Sequence, residues 1–499
     1  MKVLLANVTG RLSTDGSRLV AALLKRAGHS VRLVFLSRTE PLEYSRSEMA
    51  LLDGLLSDVD IVMISVYSSY AIRAVQLTDY VHERFPDLKV ILGGPHCISV
   101  PEIGLGSADG ICFSEGDEAV IDLVDRLERG ADWTATPNFA FRVDGSLVTN
   151  PVRPPFNNLD SLPYYDFDLA DQYLLDGTLE ALTADALKAR LAGYPYRVPI
   201  FYYMSSRGCP HDCAYCNNCR YTALWGRSVL RMQGVERVIE ELAWQLQRLP
   251  YIEFVAFGDD DFFIRPLSQL ETFAALYKEK IGLPFGVAVS ARTWRKDKAE
   301  ALMDVGLTTV QMGVQSGSQR VLDEVYNRTL SIAKVRAAGE EIASYSRTRG
   351  LRLHLDFIID NPYESRDDVA RTYRYILDTP WSVRLNVFFL AYFPGTPLYE
   401  RALADGYIGP YSQRAFRPYT RSRLRYQRNW ETFLILLVRF LRLAVKKRKR
   451  SLLVSLELLG SRPVRTTMSL FPGALFSGLA RSLQAAQNAL ISRKVAVLR

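Results

Sequence analysis

The 499-residue chain is too long for one ordinary domain and implies two or three. Hydrophobic residues at 48% and charged residues at 23% fit a folded protein with a substantial core and exclude an extensively disordered chain. The net charge of +8 is uneven: residues 411–499 hold 19 Lys/Arg against 2 Asp/Glu, so a strongly basic tail follows a mildly acidic body.

The opening MKVLLANVTG has no secretory apolar core or cleavage site and reads as a first β-strand. Strands are expected at 2–7, 31–36, 61–66 and 90–93, with a weaker one at 110–113. Helical patterns lie between them at 17–27, 71–85 and 117–129. This alternation predicts a doubly wound, Rossmann-like parallel sheet over residues 1–134, with ligands bound outside its C-terminal strand ends. Those ends are small or polar: Ser65-Val66-Tyr67-Ser68-Ser69, Gly93-Gly94-Pro95-His96 and Ser114-Glu115-Gly116-Asp117. Residues 135–194, broken by Pro151, Pro154, Pro155 and Pro163, read as a linker with one helical patch at 179–191.

Alternation returns from 195 to 402, with strands expected at 200–205, 252–257, 285–290, 309–314, 353–359 and 383–390. Helices are expected at 235–247, 267–278 and 367–377. Six βα units in series predict a partial (βα)6 barrel of TIM type, with active residues at C-terminal strand ends. From 403 onward strand signals fade into helices at 430–445, 452–459 and 474–490, which define a basic helical C-terminal domain. No stretch reaches the roughly 18 uninterrupted apolar residues of a spanning helix.

Cys209, Cys213 and Cys216 carry the strongest signal, set directly after the first barrel strand. Six cysteines with three so close fit a reduced cytoplasm and a metal site better than a disulfide framework. Three thiolates at x3 and x2 spacing can wrap one [4Fe–4S] cluster and leave one iron open. A four-ligand zinc site completed by Cys219 or His211 is the alternative, and the position at a barrel mouth weighs against it.

This Cys-x3-Cys-x2-Cys loop, with Tyr215 before its last cysteine, resembles the radical S-adenosylmethionine (SAM) superfamily. Phe257-Gly258-Asp259-Asp260-Asp261-Phe262 resembles the second-strand motif that touches the SAM amino group, and Gly313-Val314-Gln315-Ser316-Gly317-Ser318 the fourth-strand motif. Gln315 replaces the Glu common in that family. Residues 357–364 sit where relatives carry a Gly-Pro-Gly-Glu type turn, and 393–399 resemble the closing motif. The N-terminal motifs, together with Pro101-Glu102, resemble the cobalamin-binding domain of the B12-dependent, class B methyltransferase-like branch.

The resemblance implies three cofactors: a [4Fe–4S] cluster on Cys209, Cys213 and Cys216, SAM, and cobalamin. Cobalamin-binding residues would be Ser65, Tyr67, Ser68, Ser69, Gly93, Gly94, Pro95, His96, Glu115 and Gly116. SAM would meet Tyr215, Gly258, Asp259, Asp260, Ser290, Gln315 and Ser316. No Asp-x-His-x-x-Gly motif is present, so cobalamin would bind without a histidine ligand, with the small Ser69 below cobalt. The implied reaction is C-methylation of an unactivated carbon: SAM methylates cobalamin, and a 5′-deoxyadenosyl radical from a second SAM abstracts hydrogen from a small-molecule substrate. A cyclase or rearranging enzyme without methyl transfer is the first alternative, and a non-catalytic cobalamin or redox binding protein the second. A one-electron reductant such as flavodoxin or ferredoxin is implied as partner, and the location expected is cytoplasmic.

Cys219 reads as an incidental loop cysteine, Cys97 and Cys112 as buried packing residues, and His354 as a satisfied inward polar residue. The basic tail lacks a base-reading module, which weighs against nucleic acid. A helical cap is its default reading. The second reading is docking on an anionic membrane surface through amphipathic 433–445 and the basic run 446–450.

Overall fold

The computed structural model describes residues 1–13, 16–38, 41–99, 106–193, 198–410, 424–445 and 450–496. Pro101-Glu102 and most of the basic run after Val445 therefore lie outside the described residues. The chain divides into two compact units, Met1–Phe254 with Phe393–Pro418, and Val255–Tyr392 with Tyr419–Arg499.

The first unit is built on nine strands: β1 (Lys2–Asn7), β2 (Ser30–Leu36), β3 (Ile61–Ser65), β4 (Lys89–Gly93), β5 (Gly110–Cys112), β6 (Phe139–Val143), β7 (Ser146–Thr149), β8 (Gln172–Leu175) and β9 (Leu179–Ala181). They lie in the order β7-β6-β5-β4-β3-β1-β2-β8-β9. The interior strands β1 to β4 are almost continuous runs of buried Val, Ile and Leu, as a sheet covered on both faces requires. Helices Gly16–Arg26, Ala71–Arg84 and Ala119–Glu128 each follow a strand, as the alternation predicts. β2 and β3 pair on opposite sides of β1, so the strand order reverses beside β1. The carboxyl ends of β1 and β3 are therefore the switch point where such sheets bind ligands.

Segment 135–194, expected as a linker, instead supplies both edges of this sheet. β6 and β7 close one edge as an antiparallel pair, and β8 pairs parallel to β2 before turning into β9. The prolines cluster at 151–163, between these pairs, and the expected helical patch contracts to Ala184–Leu191.

The second sheet comprises β10 (Ala192–Gly193), β11 (Val198–Tyr203), β14 (Phe254–Phe257), β15 (Phe285–Val289), β16 (Leu307–Gln315), β17 (Arg352–Ile359) and β18 (Arg384–Phe389), in chain order across the sheet. A separate hairpin-like pair, β12 (Ser206–Arg207) with β13 (Arg231–Met232), belongs to the first unit. From β14 to β18 every neighbouring pair is parallel. The six expected barrel strands are all present, with the unit boundary falling inside β14.

Within the second unit, helices Trp430–Ala444, Arg450–Leu459, Arg462–Met468 and Gly473–Ala496 follow the strands. Helix Trp430–Ala444 packs on helix Arg366–Asp378 and on β18. Its two arginines are not a solvated basic face. Arg442 donates to the carbonyls of Ile376 and Thr379, both at 2.7 Å, and so satisfies the end of the helix it packs against. Arg439 donates to Val387 O at 3.3 Å.

Candidate functional site

In the first unit, the loops at the switch point are shaped by buried polar side chains. Asn7 at the end of β1 accepts from the amide and hydroxyl of Thr9 at 2.9 and 2.7 Å. Arg73 is fully buried and donates to the carbonyls of Val8, Leu36, Leu42 and Arg38, tying together the loops that leave β1 and β2. Ser65 ends β3, and Ser68–Tyr70 form a single 3₁₀ turn held by Tyr70 N to Tyr67 O at 2.8 Å. Tyr67 and Ser69 are half-buried, so their side chains stand partly open at the strand ends.

Gly93 ends β4, and Gly94 takes φ +100°. A Cβ at Gly94 would lie 2.9 Å from Val66 O, so only glycine lets the chain turn here beside β3. Pro95 starts a short helix that carries His96 into the interior. His96 Nδ1 lies 3.1 Å from Ser68 Oγ, and burial lowers the imidazole pKa to about 4, keeping it neutral. Small residues, a sharp glycine turn and half-buried hydroxyls at a switch point fit a bulky planar ligand such as a corrin.

The cysteine loop lies in the same unit. Cys213 is buried, Cys209 and Cys216 are half-buried, and no cysteine of the chain is in a disulfide. A turn from Cys216 N to Cys213 O at 3.0 Å folds the loop. Ser228 Oγ donates to Cys209 O at 2.7 Å, and Leu398 N to Ala214 O at 2.9 Å. Tyr215 is half-buried between two of these thiols. Cys219 sits buried on the following helix, Asn218–Trp225, where burial raises its thiol to about 11. Three thiols on one ordered loop, with the fourth held as a neutral thiol, form a donor set that fits a cluster with one open iron.

The loop is braced on the N-terminal sheet by a buried ionic knot. Arg207 meets Asp117 through two bonds of 2.7 and 2.9 Å. Arg231 meets Glu115 through two of 2.7 and 2.8 Å, and the Phe156 amide fills Glu115 further at 3.0 Å. Burial would lower the Arg207 pKa, but its bonds to Asp117 and the charges of Asp117 and Glu115 raise it overall. Glu115, expected to hold cobalamin, is thus saturated by the protein itself. Its role is to fix β12 and β13, and with them the start of the cysteine loop. Gly116 beside it is half-buried, and a Cβ there would sit 3.2 Å from Val120.

In the second unit, one face of the β14–β18 sheet packs on helices. Phe257 meets Phe273 edge-on, Phe285 packs tilted against Tyr277, and Phe357 meets Tyr375 edge-on. By the two-residue strand period, Ala256, Gly286, Ala288, Gln311, Gly313, His354, Asp356, Arg384 and Asn386 take the other, inner face. Ala256, Gly286 and Ala288 are small, and β16 to β18 add the polar side chains Gln311, His354, Asp356, Arg384 and Asn386.

Among the residues expected to meet SAM, Gly258 and Asp260 are exposed just past β14, while Asp259 is buried. Asp261 accepts from Thr293 Oγ1 at 2.7 and 2.8 Å, and burial raises its pKa to about 6. Ser290 follows β15 and its hydroxyl accepts from Arg292 N at 3.2 Å. Gln315 has φ +69° at a register shift, and its amide folds back over Gly313, where a Cβ would lie 2.4 Å away. Ser316, expected to contact SAM, is fully buried instead. Its hydroxyl donates to Glu364 at 3.0 Å, accepts from Ser318 N at 3.2 Å, and lies 3.2 Å from Thr372 Oγ1. It closes the turn after β16.

Sequence reasoning missed a polar diagonal on the inner face. Asp356 accepts from Gln311 at 2.7 Å and from Asn386 at 2.8 Å, one neighbour strand on each side. Burial raises Asp356 to about 6 against the pull of those two bonds. The signal was available as polar residues at inward positions of three successive strands, but only the strand register brings them into line. Asp360, φ +64°, accepts the amides of Arg425, Tyr426 and Gln427 at 2.7 to 2.9 Å, pinning the C-terminal segment to the turn after β17.

The B12 binding domain model matches residues 1–124, and the Radical SAM superfamily model matches 203–376. An uncharacterized methyltransferase of Pyrococcus horikoshii is 26% identical over 365 residues, covering 70% of this chain and 71% of that one. Cytidylyl-2-hydroxyethylphosphonate methyltransferase of Streptomyces wedmorensis is 23% identical over 437 residues, covering 78% of each. The solved structure of the radical S-adenosylmethionine methyltransferase TsrM from Kitasatospora setae shares the fold with a TM-score of 0.65 at 13% identity, over 81% of this chain and 76% of that one. With both domain models matched in this order over these two folds, the chain belongs to the cobalamin-dependent radical SAM enzymes, whose cofactors are a [4Fe–4S] cluster, SAM and cobalamin.

Proposed function

We propose that this enzyme methylates an unactivated carbon of a small molecule, using SAM as both methyl donor and radical source. The observation that carries the reading is the brace between the cysteine loop and the N-terminal sheet, Arg207 and Arg231 against Asp117 and Glu115. It ties the start of the cysteine loop to the N-terminal sheet, which supports a reading in which a methyl group passes between cofactors held by the two. When bound, the cluster supplies the electron that cleaves SAM, and cobalamin carries the methyl group.

The chain's own residues bind and orient. Cys209, Cys213 and Cys216 would hold the cluster, and Cys219 would remain a thiol outside it. Ser65, Tyr67, Ser68, Ser69, Gly93, Gly94, Pro95 and neutral His96 would line the cobalamin site. Gly258, Asp259, Asp260, Ser290 and Gln315 would position SAM, and Tyr215 is proposed for the same role from its place in the cysteine motif alone. A one-electron donor such as flavodoxin or ferredoxin would serve as reductant.

The test is anaerobic turnover of the reconstituted enzyme with SAM and a reductant. Wild-type protein is expected to release both S-adenosylhomocysteine and 5′-deoxyadenosine. Cys213→Ala should lose most of the cluster absorbance and all deoxyadenosine, while Cys219→Ala retains both. Deoxyadenosine without S-adenosylhomocysteine would shift the reading to ring formation or rearrangement.

A further inference from the structure

We propose that the last three described helices dock the protein on an anionic lipid surface, independently of which reaction it catalyses. Helix Trp430–Ala444, where the sequence pattern places an amphipathic membrane face, is not available for this. Its apolar side, Phe433 to Leu436 with Val438, is buried, and its arginines are spent on backbone carbonyls.

The segment after it behaves differently. Among the described residues, six of the fourteen exposed large apolar side chains fall between Val454 and Leu479. Val454 and Leu458 are one helical turn apart on helix Arg450–Leu459, and Leu458 is 61% exposed. Leu475 and Leu479 repeat that spacing on helix Gly473–Ala496. Between the helices, Leu470 is 83% exposed with exposed Phe471 beside it. On the same helices Leu456, Phe476 and Ala480 are buried, which anchors them to the rest of the fold.

Charge says what covers them. Residues 411–499 contain only two acids. Glu431 is buried, with Arg366 and Arg465 each at 2.8 Å, and adds nothing to the surface. Glu457 is therefore the one exposed acid, against exposed Arg462 and Arg481. In the sequence the run Lys446-Lys447-Arg448-Lys449-Arg450 leads directly into the first of these helices, and Arg493 and Lys494 lie near the end of the last. Apolar side chains exposed in helical pairs and in the turn between two helices, on a segment whose sequence is strongly basic, match the boundary between anionic headgroups and acyl chains. A protein partner would favour a dense aromatic and arginine centre instead. No described helix is long and apolar enough to cross a membrane, so the contact is peripheral.

The experiment is vesicle flotation of the full-length protein, with neutral phosphatidylcholine or with roughly 30% phosphatidylglycerol added. The protein should float with anionic vesicles, at least about tenfold more than with neutral ones, and detach as salt rises to about 0.5 M. Leu470→Asp with Phe471→Asp should abolish flotation while leaving the melting temperature and cobalamin uptake unchanged. Absence of binding, equal binding to neutral vesicles, or full binding by the double variant overturns the proposal. So does a dimer in sedimentation that the double variant dissociates, which would assign this surface to a second copy of the chain.

Discussion

Gly208 stands at φ +86° immediately before Cys209, and a Cβ there would lie 1.9 Å from Val229 O. Gly208→Ala must therefore shift the loop, at a cost of about 1–3 kcal/mol, and should lower iron incorporation far more than it lowers secondary structure. Iron and sulfide assay beside circular dichroism checks this. Glu115 carries a different consequence. Glu115→Gln leaves Arg231 buried without its anion, and about 3 kcal/mol of stability should be lost. Thermal unfolding of the cobalamin-loaded protein measures it. Cysteine spacing made the cluster residues legible because metal ligation imposes a local pattern. Arg207, Arg231 and Glu115 were not legible as partners, because their pairing joins positions about 90 to 116 residues apart.

At the scale of elements, the strand-and-helix alternation was readable nearly throughout, since buried parallel strands need unbroken apolar runs. The edges were not. β6 to β9 are short and paired at the rim, so they lack that signal and look like linker. Line-up across strands was equally hidden, and it creates two titrating groups. Asp356, at about 6 between Gln311 and Asn386, should give SAM cleavage a step that rises with pH near 6 as the carboxylate ionises. Asp356→Asn should remove that step while cluster and cobalamin content stay unchanged, as deoxyadenosine rates across pH would show. Glu364 is raised by burial from 4.5 to about 8 and accepts from Ser316 in the turn after β17. Its folded-state pKa lies above the unfolded one, so its contribution is complete below about pH 4.5 and is lost as pH rises through 8. Melting temperature should fall across that range, with a slope of up to about 1.4 kcal/mol per pH unit. Glu364→Gln, a neutral isostere, should flatten the decline.

For the whole molecule, composition and charge separated a catalytic body from a basic tail, and the motif order pointed to the three cofactors. The division into two units was not visible, because its boundary falls within β14, inside a continuous apolar run. The tail's surface was misjudged for a related reason. Hydropathy marks helix Trp430–Ala444 and its arginines as amphipathic, whereas packing on helix Arg366–Asp378 consumes both features. The central claim is that the methyl group leaves SAM and ends on substrate carbon. Its most direct measurement is anaerobic turnover with methyl-deuterated SAM and candidate substrates, followed by mass spectrometry. The account predicts a product heavier by one trideuteriomethyl group, formed together with S-adenosylhomocysteine and 5′-deoxyadenosine. A product that forms with deoxyadenosine but carries no deuterium from the methyl group would contradict it.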